Sequence, residues 1–102
     1  MADDASVFDY RTIDDLIHGR VRLAIVAYLS GAGSASFTEL GKRAQVNDGN
    51  LSVHLRTLEE AGYVTLEKRF VGRKPQTLVA LTETGRTAWL AYIARMEALI
   101  GR

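Results

Sequence analysis

The sequence predicts a single, mainly helical domain carrying a small β-hairpin, an α+β fold with helices toward both ends. Three observations predict it. Apolar residues recur at helical spacing through several stretches, most clearly Leu51, Leu55, Leu58 and Ala61. The pattern then changes to β-branched and aromatic residues over Tyr63–Val71 and again over Gln76–Leu81, with Gly72-Arg73-Lys74-Pro75 as the turn between them. After Thr82 the helical period returns and runs to Ile100.

The chain in order supports each element. Residues 1–11 read as an acidic arm, with Asp3, Asp4 and Asp9 and an apolar cluster of Val7, Phe8 and Tyr10. Residues 12–102 read as one domain. Thr12 can cap a short helix whose apolar face is Ile13, Leu16 and Ile17, with Asp14 and Asp15 favoured by the helix dipole in its first turn. Gly19 breaks or bends the chain. Arg20 to Ser30 reads as a second helix with Val21, Ile25, Tyr28 and Leu29 inward, and Gly31-Ala32-Gly33-Ser34 as a flexible turn.

Ser36 and Glu39 have capping-box spacing, with Thr38 as an alternative cap, for a short helix through Leu40 and Ala44. Gln45-Val46-Asn47 is a tight turn. Asn47 caps the helix that follows, and Gly62 stands where a left-handed residue would end it. Thr82 caps a last helix of about 83–100, whose face of Trp89, Tyr92, Ile93, Met96, Leu99 and Ile100 repeats at three and four residues.

Composition bounds the function. The 102 residues allow one modest core. Hydrophobic content is 47% and charged content 25%, ordinary for a soluble domain. Net charge is only +1, but Lys68, Arg69, Arg73 and Lys74 concentrate positive charge in one segment without an acid. The chain has no cysteine, which excludes disulfides and thiolate metal sites within it. His18 and His54 are the only histidines, so neither a metal nor another cofactor is expected. Met1-Ala2-Asp3-Asp4 is acidic and no membrane-length apolar run follows, so a cytoplasmic location without a leader or membrane anchor is expected. Gly-rich phosphate loops, HExxH and nucleophile elbows are absent, so an enzyme is not expected.

The helix of residues about 48–61 has two jobs. One face is the leucine stripe. The other offers Gly49, Asn50, Ser52, Val53 and Arg56, short or polar groups suited to base edges in a DNA major groove. Asp48 could accept from a cytosine amino group, but the helix N-terminus favours an acid there in any case, and the structural role is preferred. His54 lies between the faces, at the edge of the stripe. The basic hairpin tip, shaped by Gly72 and Pro75, carries Arg73 and Lys74 toward phosphates or a minor groove.

Helix, helix, short helix, tight turn, helix, hairpin, helix is the order of a winged helix-turn-helix. Arg20-Val21-Arg22-Leu23-Ala24-Ile25, Phe37-Thr38-Glu39-Leu40, Asp48-Gly49-Asn50-Leu51-Ser52-Val53-His54-Leu55 and Leu58-Glu59-Glu60-Ala61-Gly62-Tyr63-Val64 follow one another in the chain. With Lys68-Arg69-Phe70-Val71-Gly72-Arg73-Lys74-Pro75 and Leu81-Thr82-Glu83-Thr84-Gly85-Arg86, this series resembles the MarR/ArsR-like winged helix transcriptional regulators over roughly residues 13–95.

The resemblance implies a wing laid along the DNA backbone or in the minor groove, and double-stranded DNA as the partner. Burial and the resemblance together point to a homodimer. A domain this small has few places to bury Trp89, Tyr92, Ile93, Met96, Leu99 and Ile100 alone, and a two-fold interface with Ile13, Leu16 and Ile17 alongside would cover them. The missing Cys/His clusters separate this chain from metal-sensing ArsR relatives. Relatives of MarR type bind small aromatic effectors. Tyr28, Trp89 and Tyr92 could line such a pocket, but aromatics at helical spacing are more often core, so the sequence lends an effector no support. A winged helix adaptor that binds proteins rather than DNA is the alternative of a different class.

Overall fold

The computed structural model describes residues 9–101. Four helices and a three-stranded antiparallel sheet follow in the order α1 (Arg20–Ala32), β1 (Ser34–Ser36), α2 (Phe37–Ala44), α3 (Asp48–Glu60), β2 (Val64–Val71), β3 (Lys74–Leu81) and α4 (Glu83–Leu99). This is a winged helix-turn-helix: α2 and α3 are joined by a tight turn, and the β2–β3 hairpin is the wing. Most of the expected acidic arm, residues 1–8 with Val7 and Phe8, lies outside the described residues.

The helix ends are set by local chemistry. The Ser36 hydroxyl accepts from the Glu39 amide at 3.0 Å, the Asn47 side chain from the Asn50 amide at 2.9 Å, and the Thr82 hydroxyl from the Gly85 amide at 2.9 Å. The capping box at α2 is half of what its spacing implies, because the Glu39 carboxylate is taken by the Tyr28 hydroxyl of α1 instead. Gly62 ends α3 at φ 81°, with the Tyr63 amide donating to the Leu58 carbonyl and the Gly62 amide to Glu59. That pair of bonds is a Schellman motif. Gln45 closes α2 in the same left-handed region at φ 56°.

Two segments depart from the sequence reading. The expected helix over Ile13–Ile17 does not form. A 3₁₀ turn, Tyr10–Thr12, is followed by a turn that Asp14 organises, its carboxylate accepting from the Leu16 amide at 2.8 Å. Arg22 then takes the Leu16 carbonyl at 2.6 Å, and Tyr63 donates to Asp14 at 2.6 Å. The Asp14 and Arg22 side chains thus use backbone groups a helix would have paired, and Tyr63 at the root of the wing holds the Asp14 carboxylate in place. The second departure is β1. Residues 31–34 are not one flexible turn: α1 continues to Ala32, Gly33 turns at φ 82°, and Ser34, Ala35 and Ser36 pair with Ala80, Val79 and Leu78. The sheet order is β1-β3-β2.

The core lies between the helices and the inner end of the sheet. Ile25, Val26 and Leu29 of α1, Leu40 of α2, Leu51, Leu55 and Leu58 of α3, and Val79 of β3 are wholly buried. Removing one such leucine side chain would cost about 2–5 kcal/mol. This burial fixes the orientation of α3, because the stripe at positions 51, 55 and 58 leaves the opposite face of the helix outward. The wing root is held to α4 by Thr82, whose amide donates to the Tyr63 carbonyl at 3.0 Å and whose hydroxyl donates to the Gly62 carbonyl at 2.5 Å.

Candidate nucleic-acid interface

The outward face of α3 is fully accessible. Gly49, Asn50, Ser52, Val53 and Arg56 are all exposed, Val53 to 58%. The cap at Asn47 uses the Asn50 amide and leaves its side chain outward. Among the described residues, the side chains of Asn50, Ser52 and Arg56 make no hydrogen bond within the chain. Asp48 occupies the first turn of α3, where the amide ends of the helix favour it.

His54 sits at the seam between the two faces, half-buried. Its Nδ1 lies 3.0 Å from an Arg22 terminal nitrogen. A guanidinium has donors only, so Nδ1 is the acceptor and the ring is neutral. Burial, and then the Arg22 charge, hold the His54 pKa below the ordinary histidine value. This histidine ties α3 to α1 and, through Arg22, to the turn at Leu16. It is positioned to brace the helix from behind.

The wing is a two-stranded ribbon that outruns the core. Val64 is buried and Leu66 half-buried, and every residue of β2 beyond Leu66 is exposed. Val71 pairs with Lys74, so the connection is only Gly72-Arg73. Gly72 has φ 64°, the positive value that the first position of a type II′ hairpin turn requires. The turn is tighter than the four residues the sequence implied, and it carries Arg73 at the tip. Lys74 and Pro75 already belong to β3.

The strand period sorts the cations. Lys68 pairs with Thr77 and shares a face with Leu66. With Ser52, Arg56 and Glu59 of α3, Phe37 of α2, and Leu66 and Thr77, it lines a cleft of about 490 Å³ between α3 and the wing. Arg69 points to the other face, where its Nε donates to Gln76 across the ladder at 2.8 Å. The structure therefore brings Ser52, Arg56 and Lys68 together, sets Arg73 and Lys74 at the tip, and leaves Arg69 on the opposite side. Glu59 and Thr77 in the cleft were not singled out from the sequence. Glu59 lies two turns of helix from Ser52, a spacing that puts it on the same face.

The residues expected at a subunit interface divide. Ile17 is wholly buried and Tyr92 is 4% exposed within the single chain. Both belong to the core, and their expected place on a subunit surface is corrected accordingly. The cause is the N-terminal turn, which folds over α4: the Tyr92 hydroxyl lies 2.8 Å from His18 Nδ1, and its ring stacks on Trp89 at 5.9 Å. Ile13, Leu16, Trp89, Ile93 and Met96 are half-buried, whereas Leu99 and Ile100 are 49% and 64% exposed. Leu90 is 62% exposed and lies off the stripe that the sequence emphasised.

Among the described residues no group of three or more His, Cys, Asp or Glu side chains could hold a metal ion. No helix among them is long and apolar enough to cross a membrane.

Residues 21–100 match the model of a family described as a winged helix DNA-binding domain. An uncharacterised protein of Methanocaldococcus jannaschii is 37% identical over 73 residues, 72% of this chain and 79% of the relative. A transcriptional regulator homologue from Pyrococcus horikoshii OT3 superposes with a TM-score of 0.78 at 29% identity, covering 83% of this chain and 84% of that one. A MarR family transcriptional regulator from Silicibacter pomeroyi gives 0.62 at 26% identity, covering 84% of this chain and 60% of the other.

Proposed function

The chain belongs to the winged helix DNA-binding domain family, and we propose that it acts as a homodimeric, sequence-specific transcriptional regulator of the MarR type. The observation that carries this reading is the single surface formed by the outward face of α3 and the inner face of the wing. Asn50 and Ser52 there offer donors and acceptors for base edges, Val53 an apolar contact for a thymine methyl group, and Arg56 a fork for guanine or phosphate. Gly49 adds no side chain at the N-terminal turn, so the backbone can come close to the duplex. Lys68, Arg73 and Lys74 supply the sequence-independent hold on phosphates. Arg69 gives its Nε–H to Gln76 on the other face of the wing and keeps its terminal nitrogens for a phosphate on that side.

Dimerisation is supported by the exposed Leu99 and Ile100 at the end of α4, with the half-buried Trp89, Ile93 and Met96 on the helix before them, and by Leu90, exposed half a turn round the helix from Leu99 and next to Ile93. Ile13 and Leu16 flank this surface as half-buried neighbours. Two copies related by a two-fold axis would present two α3 helices to half-sites about 34–36 Å apart.

Selection of duplexes from a random DNA pool tests the reading. The full chain should enrich a pseudo-palindrome. On that duplex, Asn50→Ala or Arg56→Ala should narrow the gap between selected and random DNA by about 1–3 kcal/mol per base pair no longer read. A pool that yields no enriched sequence, or variants that discriminate as well as the parent, would remove α3 as the reader.

A further inference from the structure

The wing carries a side chain that neither the core nor the phosphate contacts use. Phe70 is 74% exposed, and Val71 beside it is 53% exposed. Register decides which way the ring faces. Val64, Leu66, Lys68 and Phe70 share one face of β2, opposite Leu81, Val79, Thr77 and Pro75 of β3. Val64 and Val79 are in the core, and Lys68 and Thr77 line the cleft beside α3. Phe70, with Pro75 across from it, continues that same face outward, roughly 13 Å along the strand from Leu66.

The surroundings of the ring define its partner. Lys68 and Arg69 precede it, Arg73 is in the turn, and Lys74 begins the opposite strand. No acidic residue lies between Lys68 and Gln76. Lys68 stands on the ring's own face and Arg73 in the turn beyond it, while Arg69 and Lys74 border the wing from its other face. An apolar ring set among cations in this way is complementary to a partner that is anionic outside and stacked and apolar inside, which describes duplex DNA. Minor-groove proteins use apolar side chains in this way, inserting them between base steps while flanking cations hold the phosphates.

Resting on the DNA-binding reading above, we infer that Phe70 is a wedge that enters the minor groove flanking the half-site and partly unstacks one base step. The duplex bends away from the wing at that step. Phe70 thereby adds specificity by deformability, favouring an easily unstacked pyrimidine–purine step at a position where no side chain reads a base edge.

The experiment uses the full chain and a duplex enriched from the random pool, with 2-aminopurine placed in turn at the flanking steps and fluorophores at the two ends. The wild-type chain should brighten one 2-aminopurine position and shorten the end-to-end distance. Phe70→Ala, at an exposed position where circular dichroism should be unchanged, should lose both signals and weaken binding about tenfold. It should leave the salt slope as it was, because no charge is removed. Phe70→Leu should retain part of the bend. Unchanged brightness, bend and affinity in Phe70→Ala would overturn the wedge. So would a loss confined to binding of phosphatidylserine vesicles, which would make the ring a membrane contact. If the wild-type chain itself binds no duplex at low salt, the DNA-binding reading fails first and takes the wedge with it.

Discussion

Single residues fix the most demanding geometry in this fold. Gly85, in the first turn of α4, lies so close to the wing root that an added Cβ would meet the Tyr63 carbonyl oxygen at 2.2 Å and Leu81 Cδ1 at 2.7 Å. The carbonyl cannot retreat easily, because it already accepts from the Thr82 amide. Alanine would gain helix propensity of about 1 kcal/mol, but the clash should outweigh it, costing about 3 kcal/mol. Gly85→Ala should therefore lower the thermal midpoint by about 10 °C, and an unchanged or raised midpoint would contradict the packing described. This requirement was not legible in the sequence, because the approach comes from the residue before β2, some twenty positions back. The caps were legible. Ser36, Asn47 and Thr82 satisfy amides three residues ahead, and Gly62 supplies a positive φ, so the information sits inside a few consecutive residues. Glu39 marks the limit: its spacing implied a bond back to the cap, but Tyr28 on another helix took the carboxylate.

At the scale of elements, polar links at the margin of the shared core tie its pieces together. Arg22 of α1 joins His54 of α3 to the Leu16 carbonyl, and Tyr63 donates to Asp14. Both links make stability depend on pH. The folded state lowers the His54 pKa, so it binds fewer protons than the unfolded chain. That contribution is complete above the ordinary value of 6.5 and is lost as pH falls through the lowered folded value. Burial first, then the hydrogen bond to Asp14 and its charge, push Tyr63 up to about 12. Its contribution is complete below pH 10 and is lost as pH rises toward 12. Urea midpoints measured across pH should fall at both ends, and His54→Gln should flatten the limb just below 6.5. An acid limb equally steep in His54→Gln would place the titration elsewhere. These links also explain which elements the sequence concealed. Residues 13–17 have helical spacing, yet the Asp14 carboxylate takes the Leu16 and Ile17 amides and Arg22 takes the Leu16 carbonyl. Ser34-Ala35-Ser36 has no strand signal of its own and becomes β1 only because β3 offers an open edge. By contrast α3, the wing and α4 were legible, since each has several turns or pleats of consistent pattern.

For the whole molecule, the surface proposed to read DNA and the surface proposed to pair two copies lie on different elements. The exposed face of α3 and the cations at positions 68, 73 and 74 of the wing were recoverable from the sequence, because periodicity separates them from the leucine stripe. The boundary between core and subunit surface was not. Ile17 and Tyr92 looked like interface residues because a helical stripe does not reveal what covers it, and here the N-terminal turn does. The large apolar side chains that α4 and its end leave exposed are Leu90, Leu99 and Ile100, and the pairing proposed above rests on them and their half-buried neighbours. Sedimentation should give twice the chain mass, and Leu90→Arg should give a monomer with the same circular dichroism. A wild-type monomer at micromolar concentration would remove the two-fold arrangement. Whether α3 and the wing grip one DNA surface is decided by a salt titration of binding to a selected duplex, comparing wild type with Arg73→Ala. Log affinity should fall steeply and linearly with log salt, with the slope reduced by about one in the variant on every sequence. Binding that ignores salt, or a variant with the wild-type slope, would contradict that grip.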